Sequence, residues 1–360
     1  MTDQDGKGQE GKGLFQSLPL ARPAAPPVRE LEEALILPGD RIPEFILPGS
    51  NAQLQRFYEL VRGRPLVLVL VANTARQEQW DEIKAYADIA PALDAAGVDL
   101  FIVTNDGVES MAMVAKAIPE PAVWLADIRG AVNLALRTGA KFPQTGVVSF
   151  VLDADQRVIA LRGAEPGQAA WAFSVVRQLP REAPLVLGGM APVLILPRVL
   201  DEATCRQLLA LDGLTRAPAP IPDAALAAGL SRLLLRRVGP EVDKVFSFDD
   251  FQFEALLLQQ EEAAPAEGRK AARRRDNSDP ETLGRSFSLV LDLDAEAYQG
   301  GGLRFPEYGP HLYRPGTGAA VVHAGEILRE QAPIESGRRT LLSLVLRRPP
   351  KASEQAKPIS

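Results

Sequence analysis

The stretch LVLVLVANTARQEQWDEIKAYADIAPALDAAGVDLFIVTND, residues 66–106, decides the fold of the first part of the chain. Residues 66–73 form a continuous apolar run, which is typical of a strand buried on both faces. Residues 77–97 show helical spacing of their apolar side chains, and residues 98–106 return to a strand pattern. The stretch therefore predicts a strand, a helix and a second strand in succession.

The same alternation continues towards the C-terminus. We predict helices over 109–118, 131–140 and 167–178, a strand over 121–127, and a hairpin over 145–163 with Asp153-Ala154-Asp155 at its turn. Alternating strands and helices predict a sheet covered on both faces, here an α/β domain over residues 30–180. The preceding residues, 1–29, are rich in Gly, Gln, Lys and Pro, a composition that predicts a disordered arm.

The second half of the chain has a different pattern. Asp201 is placed to cap a helix whose apolar side carries Cys205 and several leucines. Two polar segments, residues 216–225 and 259–275, predict loops, and we expect little further helix. The remaining apolar runs read as short strands separated by Gly and Pro, over 285–294, 301–309, 316–325 and 338–347. They favour a mainly-β sandwich or jelly roll over 190–348, followed by a polar tail over 349–360.

Composition excludes several classes of function. A chain of 360 residues fits two domains of ordinary size, and 46% hydrophobic with 24% charged residues is typical of a globular protein. The net charge of -6 gives no general attraction to phosphate backbones, so we expect no nucleic-acid partner. No apolar run is long enough for a membrane helix or a signal peptide, so we expect a cytoplasmic protein without a membrane span.

Cys205 is the only cysteine in the chain, which excludes an internal disulfide and a four-cysteine zinc site. A single cysteine also fits a reducing cytoplasm. On the apolar side of a helix, we interpret Cys205 as a small buried hydrophobe. The alternative is a redox regulator, which requires a thiol of depressed pKa.

The segment PGDRIPEFIL (38–47), followed by the elements of residues 66–106, resembles the peroxiredoxins of the alkyl hydroperoxide reductase (AhpC/TSA) type, which have a thioredoxin-like fold. The resemblance covers roughly residues 35–178. Peroxidase chemistry needs a thiolate at the end of the first long strand. This chain has Asn73-Thr74-Ala75-Arg76 there and no cysteine anywhere in the domain, so peroxidase activity is not expected.

Two residues of that turn have alternative interpretations. Arg76 is either an anion binder at a helix N-terminus or an exposed loop arginine, and we favour the second. Asn73 is a candidate helix cap. We expect the domain to serve in packing or dimerisation.

The run from Phe251 to Arg347 resembles the 2-oxoglutarate/Fe(II) dioxygenases of the prolyl 4-hydroxylase-like group. The matching pieces are RDN (275–277), FSLVLDLD (287–294), GGGLRFPEYG (300–309), GTGAAVVHAG (316–325) and API-ES-GRR (332–339). The resemblance implies that the second domain is a double-stranded β-helix, a form of jelly roll.

The chemistry of that family needs two imidazoles and one carboxylate on one side of Fe(II). The resemblance places the carboxylate at Asp276 and the imidazoles at positions 274 and 329, where this chain has Arg274 and Arg329. Guanidinium has no free lone pair and stays protonated, so neither arginine can ligate iron. Arg339 matches the residue that receives the distal carboxylate of 2-oxoglutarate, a role that suits its bidentate geometry.

The chain contains two histidines, His311 and His323. His323 precedes position 329 by six residues, which along a strand is on the order of 20 Å. His311 lies in a turn region with Gly and Pro. We therefore expect structural roles for both rather than metal ligation.

Three interpretations of the arginines stay open. Arg274, Arg329 and Arg339 could form a cationic pocket for an anion, or a salt-bridge network around Asp276 could plug the cavity. The run Arg273-Arg274-Arg275 could also be a solvated loop.

Our leading hypothesis is a catalytically degenerate fusion protein without a cofactor, which binds a dicarboxylate or a protein partner, including a second copy of itself. The alternative is an active 2-oxoglutarate-dependent oxidoreductase, with Fe(II) and 2-oxoglutarate as cofactors, that hydroxylates a peptide or small molecule through an unconventional metal site. The sequence therefore leaves open whether the protein is an enzyme.

Overall fold

The structure is a computed structural model that describes residues 36–117, 122–180, 186–263 and 271–349. The expected arm, residues 1–29, lies outside the described residues, as does the expected tail apart from Pro349. Within the described ranges, no helix combines the length and the apolar composition that crossing a lipid bilayer requires.

The first region, residues 36–180, is built around a mixed sheet of order β5-β4-β3-β6-β7. Its strands are β1 (Ile46–Pro48), β2 (Leu54–Arg56), β3 (Leu66–Val71), β4 (Asp99–Thr104), β5 (Ala122–Ala126), β6 (Val147–Leu152) and β7 (Val158–Arg162). Its helices are α1 (Phe57–Leu60), α2 (Gln77–Ala95), α3 (Val108–Ala117), α4 (Ala131–Gly139) and α5 (Gln168–Val176). Strands β3, β4 and β5 are parallel, while β6 and β7 run antiparallel. The predicted strand, helix, strand unit and hairpin are confirmed.

Strand β3 explains why both faces of this sheet are covered. Its valines, Val67, Val69 and Val71, point into one apolar core, and its leucines point into the core on the other side. Successive side chains of a strand alternate between faces, so LVLVLV serves two cores at once.

The second region, residues 186–349, consists of two sheets and two main helices. Its strands are β8 (Leu194–Leu196), β9 (Ala219–Pro220), β10 (Gln252–Phe253), β11 (Leu257–Glu262), β12 (Ala272–Arg274), β13 (Arg285–Asp292), β14 (Tyr298–Gly300), β15 (Leu303–Arg304), β16 (Leu312–Tyr313), β17 (Ala320–Ala324), β18 (Arg329–Gln331) and β19 (Ile334–Arg347). Its helices are α6 (Glu202–Leu209), α7 (Ala224–Phe246) and a 3-10 turn (Pro306–Tyr308).

The larger sheet has the order β8-β17-β13-β19-β11-β9, and β10 and β14 also pair with β19. The smaller sheet has the order β12-β18-β15-β16. Helices α6 and α7 contribute to the main apolar core on the larger sheet. A smaller core joins the two sheets, with Val321 of the larger sheet against Leu303 and Tyr313 of the smaller one. The β-rich character predicted for this half is confirmed.

The expectation of little helix in the second region was wrong, because α7 spans 23 residues. Its Gly239 and Pro240 lower intrinsic helix propensity. The apolar side chains that it buries, among them Leu230, Leu234 and Val238, recur every three or four residues and pack into the main core. Tertiary packing of this face outweighs the weak local propensity.

The two segments predicted as loops are also partly regular. Residues 259–262 belong to β11, residues 272–274 form β12, and α7 already begins at Ala224. The polar strand β11 pairs with β19, where Glu261 lies opposite Arg339. Residues 259–262 are all polar or charged, so a pattern of apolar residues could not reveal this part of the strand.

Candidate functional site

The smaller sheet brings the two arginines of the predicted triad together. Arg274 at the end of β12 and Arg329 at the start of β18 are direct cross-strand partners. Both donate to the carboxylate of Asp276, which follows β12. Arg274 Nε lies 2.9 Å from Asp276 Oδ1, while Arg329 Nε lies 2.9 Å from Oδ2 and a terminal nitrogen of Arg329 lies 3.1 Å from Oδ1.

These charges differ in burial. Asp276 and Arg329 are buried, whereas the side chain of Arg274 is 64% exposed. Burial acts to raise the pKa of Asp276, but Arg329, Ser288 and His323 lower it and the result is about 2. Burial lowers the pKa of Arg329, and Asp276 opposes that shift. Asp276 is therefore ionised at neutral pH and paired with guanidinium.

His323 lies close to this cluster, although six residues of a continuous strand would separate it from position 329 by about 20 Å. Its Nε2 lies 3.7 Å from Asp276 Oδ2, and its side chain is fully buried. The chain leaves β17 after Ala324 and turns back into β18, while the backbone N–H of Asp276 donates to Gly325 O. The turn between β17 and β18, closed by the bond from Ile327 N to Ala324 O, interrupts the strand, whereas the separation of about 20 Å applies to one continuous strand.

The imidazole of His323 is held in one tautomer. Its Nδ1 lies 3.0 Å from the carbonyl oxygen of Ala324, so Nδ1 carries the hydrogen and donates. Nε2 then presents a lone pair towards Asp276 and has no hydrogen-bond partner. Burial is the main reason that the pKa of His323 falls to about 4, so the ring is neutral at pH 7.

Arg339, the predicted 2-oxoglutarate residue, is paired with a carboxylate of the chain itself. It is buried on β19, and its guanidinium donates to Glu261 Oε2 at 2.7 Å. Gln331 Nε2 donates to both oxygens of the same carboxylate, at 2.6 and 2.9 Å. The sequence did not single out Glu261 as a partner of Arg339. The one available signal was its charge, within a segment predicted as a loop.

A cavity beside Arg339 has a volume of about 20 Å³. Tyr298, Tyr313 and Arg314 are among its lining residues, and the Arg314 guanidinium lies 4.3 Å from the centre of the Tyr298 ring. The Tyr298 hydroxyl donates to Asp292. A volume of this size holds about one water molecule, so a dicarboxylate needs surrounding groups to move before it can enter.

The neighbouring arginines are also engaged. Arg273 donates to the buried carboxylate of Glu330, which also accepts from Arg304, and Arg275 pairs with Glu307. The three arginines are therefore all ion-paired, two of them on β12 and the third directly after it, while their side chains remain exposed. His311 is exposed.

Metal ligation can be tested on the donor set. Within the described ranges, no three His, Cys, Asp or Glu side chains come together as a metal ion would need. Asp276 and the Nε2 of His323 are two donors, and Asp276 is already bonded to two guanidiniums. Fe(II) does not fit this arrangement.

The turn after β3 holds no such cluster of charges. Helix α2 has Arg76 at its N-cap position without a side-chain cap, so the proposal that Asn73 caps this helix was wrong. Asn73 Oδ1 instead accepts from Ala75 N within the turn, because an Asn side chain readily bonds to the backbone two residues ahead. Thr74 N donates to Asp106. Arg76 is exposed, in line with the loop interpretation.

Cys205 is buried in α6, where Asp201 caps the helix by accepting from Thr204 N at 2.8 Å. Burial, together with Asp201 and other nearby carboxylates, raises the pKa of the thiol to about 12. The burial of Cys205 agrees with its interpretation as a buried hydrophobe, and the raised pKa argues against a redox regulator, which needs a thiolate.

Comparison with known proteins adds the following findings. Residues 38–161 match the model of the AhpC/TSA family. No curated protein matches the chain. One similar solved structure is the peroxidoxin BcpB from Mycobacterium tuberculosis, with 21% identity over 41% of this chain and 99% of that chain and a TM-score of 0.37.

Another is a truncated viral collagen prolyl hydroxylase from Paramecium bursaria Chlorella virus-1, with 14% identity over 48% of this chain and 99% of that chain and a TM-score of 0.36. The matched residues include almost the whole sheet of the first region, from β3 to β7. The chain thus carries an AhpC/TSA thioredoxin-fold domain at residues 38–161, followed by a β-rich C-terminal region.

Proposed function

We propose that the second region is a double-stranded β-helix of the 2-oxoglutarate/Fe(II) dioxygenase type, and that the fusion works by binding and not by iron catalysis. The observation that carries this proposal is the engagement of Asp276, whose two oxygens accept from Arg329 while Arg274 donates to one of them. Guanidinium cannot donate a lone pair to a metal. The first region contains no cysteine, so it has no thiolate for peroxidase chemistry.

A protein partner fits this site better than a dicarboxylate does. Arg339 already holds Glu261, and the adjacent cavity has room for about one water molecule. A dicarboxylate would have to displace Glu261 and open the cavity. A partner, including a second copy of the chain, needs neither change.

Two experiments test this proposal. Calorimetry with 2-oxoglutarate, in the presence and absence of a chelator, should give no heat that depends on Arg339, with Arg339→Gln as the comparison. The double variant Arg274→His with Arg329→His should gain Fe(II) binding, because it rebuilds two imidazoles beside Asp276. Binding of Fe(II) by the unmodified protein at one ion per chain would contradict the proposal.

One observation favours the alternative of an active oxygenase. His323 Nε2 has no partner and faces Asp276 at 3.7 Å, so two potential donors are already adjacent. Arg329 would have to leave Asp276 before a metal could use them. Metal analysis of the purified protein combined with succinate release from 2-oxoglutarate separates the two functions, since turnover is expected only of the oxygenase.

A further inference from the structure

A second cavity lies between the two regions and belongs to neither predicted site. It has a volume of about 270 Å³. The first region contributes Asp40, Arg41, Pro43, Tyr58 and Arg157 to its lining. Helix α7 contributes Arg236, Arg237, Pro240, Glu241 and Lys244. We call it the interface cavity. Its volume is roughly that of nine water molecules in the liquid, so it is large enough for a small solute.

The charges that line the interface cavity are unbalanced. Among the described residues that line it, two carboxylates face five cationic side chains, an excess of three positive charges. Arg236 and Arg237 both donate to Asp40. Arg41 and Arg157 both contact Glu241, at 2.7 and 3.5 Å. Each carboxylate is therefore shared between two guanidiniums.

Lys244 adds the fifth charge. Its Nζ lies 5.0 Å from the centre of the Tyr58 ring, and the Arg41 guanidinium lies 4.8 Å from the same ring. Among the described residues, Lys244 forms no ion pair with a carboxylate. An aromatic ring attracts a cation but does not neutralise it, so this charge remains available to a ligand.

Several of these groups are fixed by bonds that a ligand does not need to break. Arg237 donates to Val199 O and Pro38 O at 2.7 Å each, and Arg157 donates to Gly39 O at 3.0 Å. Both arginines are buried. Burial lowers the pKa of Arg157, carboxylates oppose that shift, and Arg237 and Arg41 lower it further. An anion in the cavity would relieve this repulsion.

Carboxylates beyond the lining also act on these arginines. Asp153 and Asp155 act on Arg157 or Arg41 from a distance, but Asp153 is already bonded to Arg198. Glu44 lies near Tyr58 but does not line the cavity.

We propose that the interface cavity binds a small multivalent oxyanion between the two regions. Lys244 would hold it from the second region, and Arg41 from the first, since one terminal nitrogen of Arg41 donates to Glu241 while the other donates to the neutral amide of Gln156. Guanidinium groups match the oxygens of phosphate and carboxylate in the same bidentate way. The class of ligand is thus a small phosphorylated or polycarboxylate compound. Because both regions supply the charges, the anion links them.

The test uses the full chain with pyrophosphate and with citrate as probes, titrated by calorimetry at constant ionic strength. We expect binding of at least one probe, and the tighter one identifies the class of oxyanion. Lys244→Glu should weaken that binding at least about tenfold, which corresponds to about 1.4 kcal/mol. Because Lys244 is exposed, this variant should fold normally, and its melting temperature checks that.

The matched control is Lys84→Glu. Lys84 is also an exposed helical lysine over an aromatic ring, 5.9 Å from the centre of Trp80, but it lies outside the interface cavity. Its variant should bind like the unmodified protein. Absence of binding for both probes at millimolar concentration, or equal weakening by both variants, overturns the proposal. Binding that is lost in Arg339→Gln but kept in Lys244→Glu would also overturn it and assign the anion to the other site.

Discussion

The turn after β3 and the Asp276 cluster lie at the positions where the two resemblances predict reactive groups. Their polar groups are satisfied in different ways. In the turn, Asn73 and Thr74 make short-range hydrogen bonds and Arg76 is exposed. Around Asp276, a carboxylate and the Arg329 guanidinium are buried together. A polar turn is satisfied by short-range hydrogen bonds among its neighbours, whereas a buried arginine adds a charge that must be paired.

The largest expected effect comes from breaking the buried pair. Asp276→Asn leaves Arg329 buried without its carboxylate, and we expect the free energy of unfolding to fall by about 3 to 5 kcal/mol. Urea denaturation followed by circular dichroism measures the change. The double variant Asp276→Asn with Arg329→Met should recover a large part of the loss, because no unpaired charge remains. A cost below about 1 kcal/mol for the single variant would show that the pair does not hold the cluster.

The next effect concerns pH. The folded pKa of His323 is about 4, below the ordinary value of 6.5, so between these values the unfolded chain binds a proton that the folded chain does not. Stability should therefore fall as the pH drops from 6.5 to 4, by about 3 kcal/mol for this group. Asp276, with a folded pKa of about 2, adds a further loss between about pH 4 and pH 2.

Denaturation at a series of pH values measures this dependence. In His323→Gln the slope between pH 6.5 and 4 should become shallower, because the buried imidazole is gone. His311→Gln is the matched control, since His311 is exposed and its variant should retain the slope. An unchanged slope in the His323 variant would mean that the imidazole is not buried in its neutral form.

A smaller effect is expected at the exposed edge of the cluster. Arg274→Ala removes an ion pair whose arginine side chain is 64% exposed, so the loss should be about 1 kcal/mol or less. The loss should shrink further at high salt, because salt screens exposed charges. Denaturation at low and high salt checks both statements. A cost comparable to that of Asp276→Asn would place Arg274 inside the buried pair.

The smallest effect should come from the turn of the first region. Arg76→Ala changes an exposed side chain at the N-cap position of α2, and the free energy of unfolding should change by no more than about 0.5 kcal/mol. Thermal and urea denaturation are sufficient to measure it. A loss above about 1 kcal/mol would remove the contrast between the two regions, since Arg76 would then have a buried partner.

The sequence by itself determined the elements of the first region from β3 onwards and the residue types at the positions that the two resemblances single out. The local spacing of apolar residues predicts buried strands such as β3 and helices such as α2. The absence of cysteine from the first region and the arginines at 274 and 329 are likewise facts of the sequence. These features depend on neighbouring positions or on residue identity alone.

Only the tertiary structure decided how the charges meet. Residues 259–262 of β11 and the strand β12 were not predicted because they carry few apolar side chains and pair with β19 and β18, far along the chain. The approach of His323 to Asp276 depends on a turn between strands, and the pairing of Glu261 with Arg339 depends on strand register. Such contacts join residues that are distant in sequence, and electrostatic pairing leaves no periodic pattern from which to infer them.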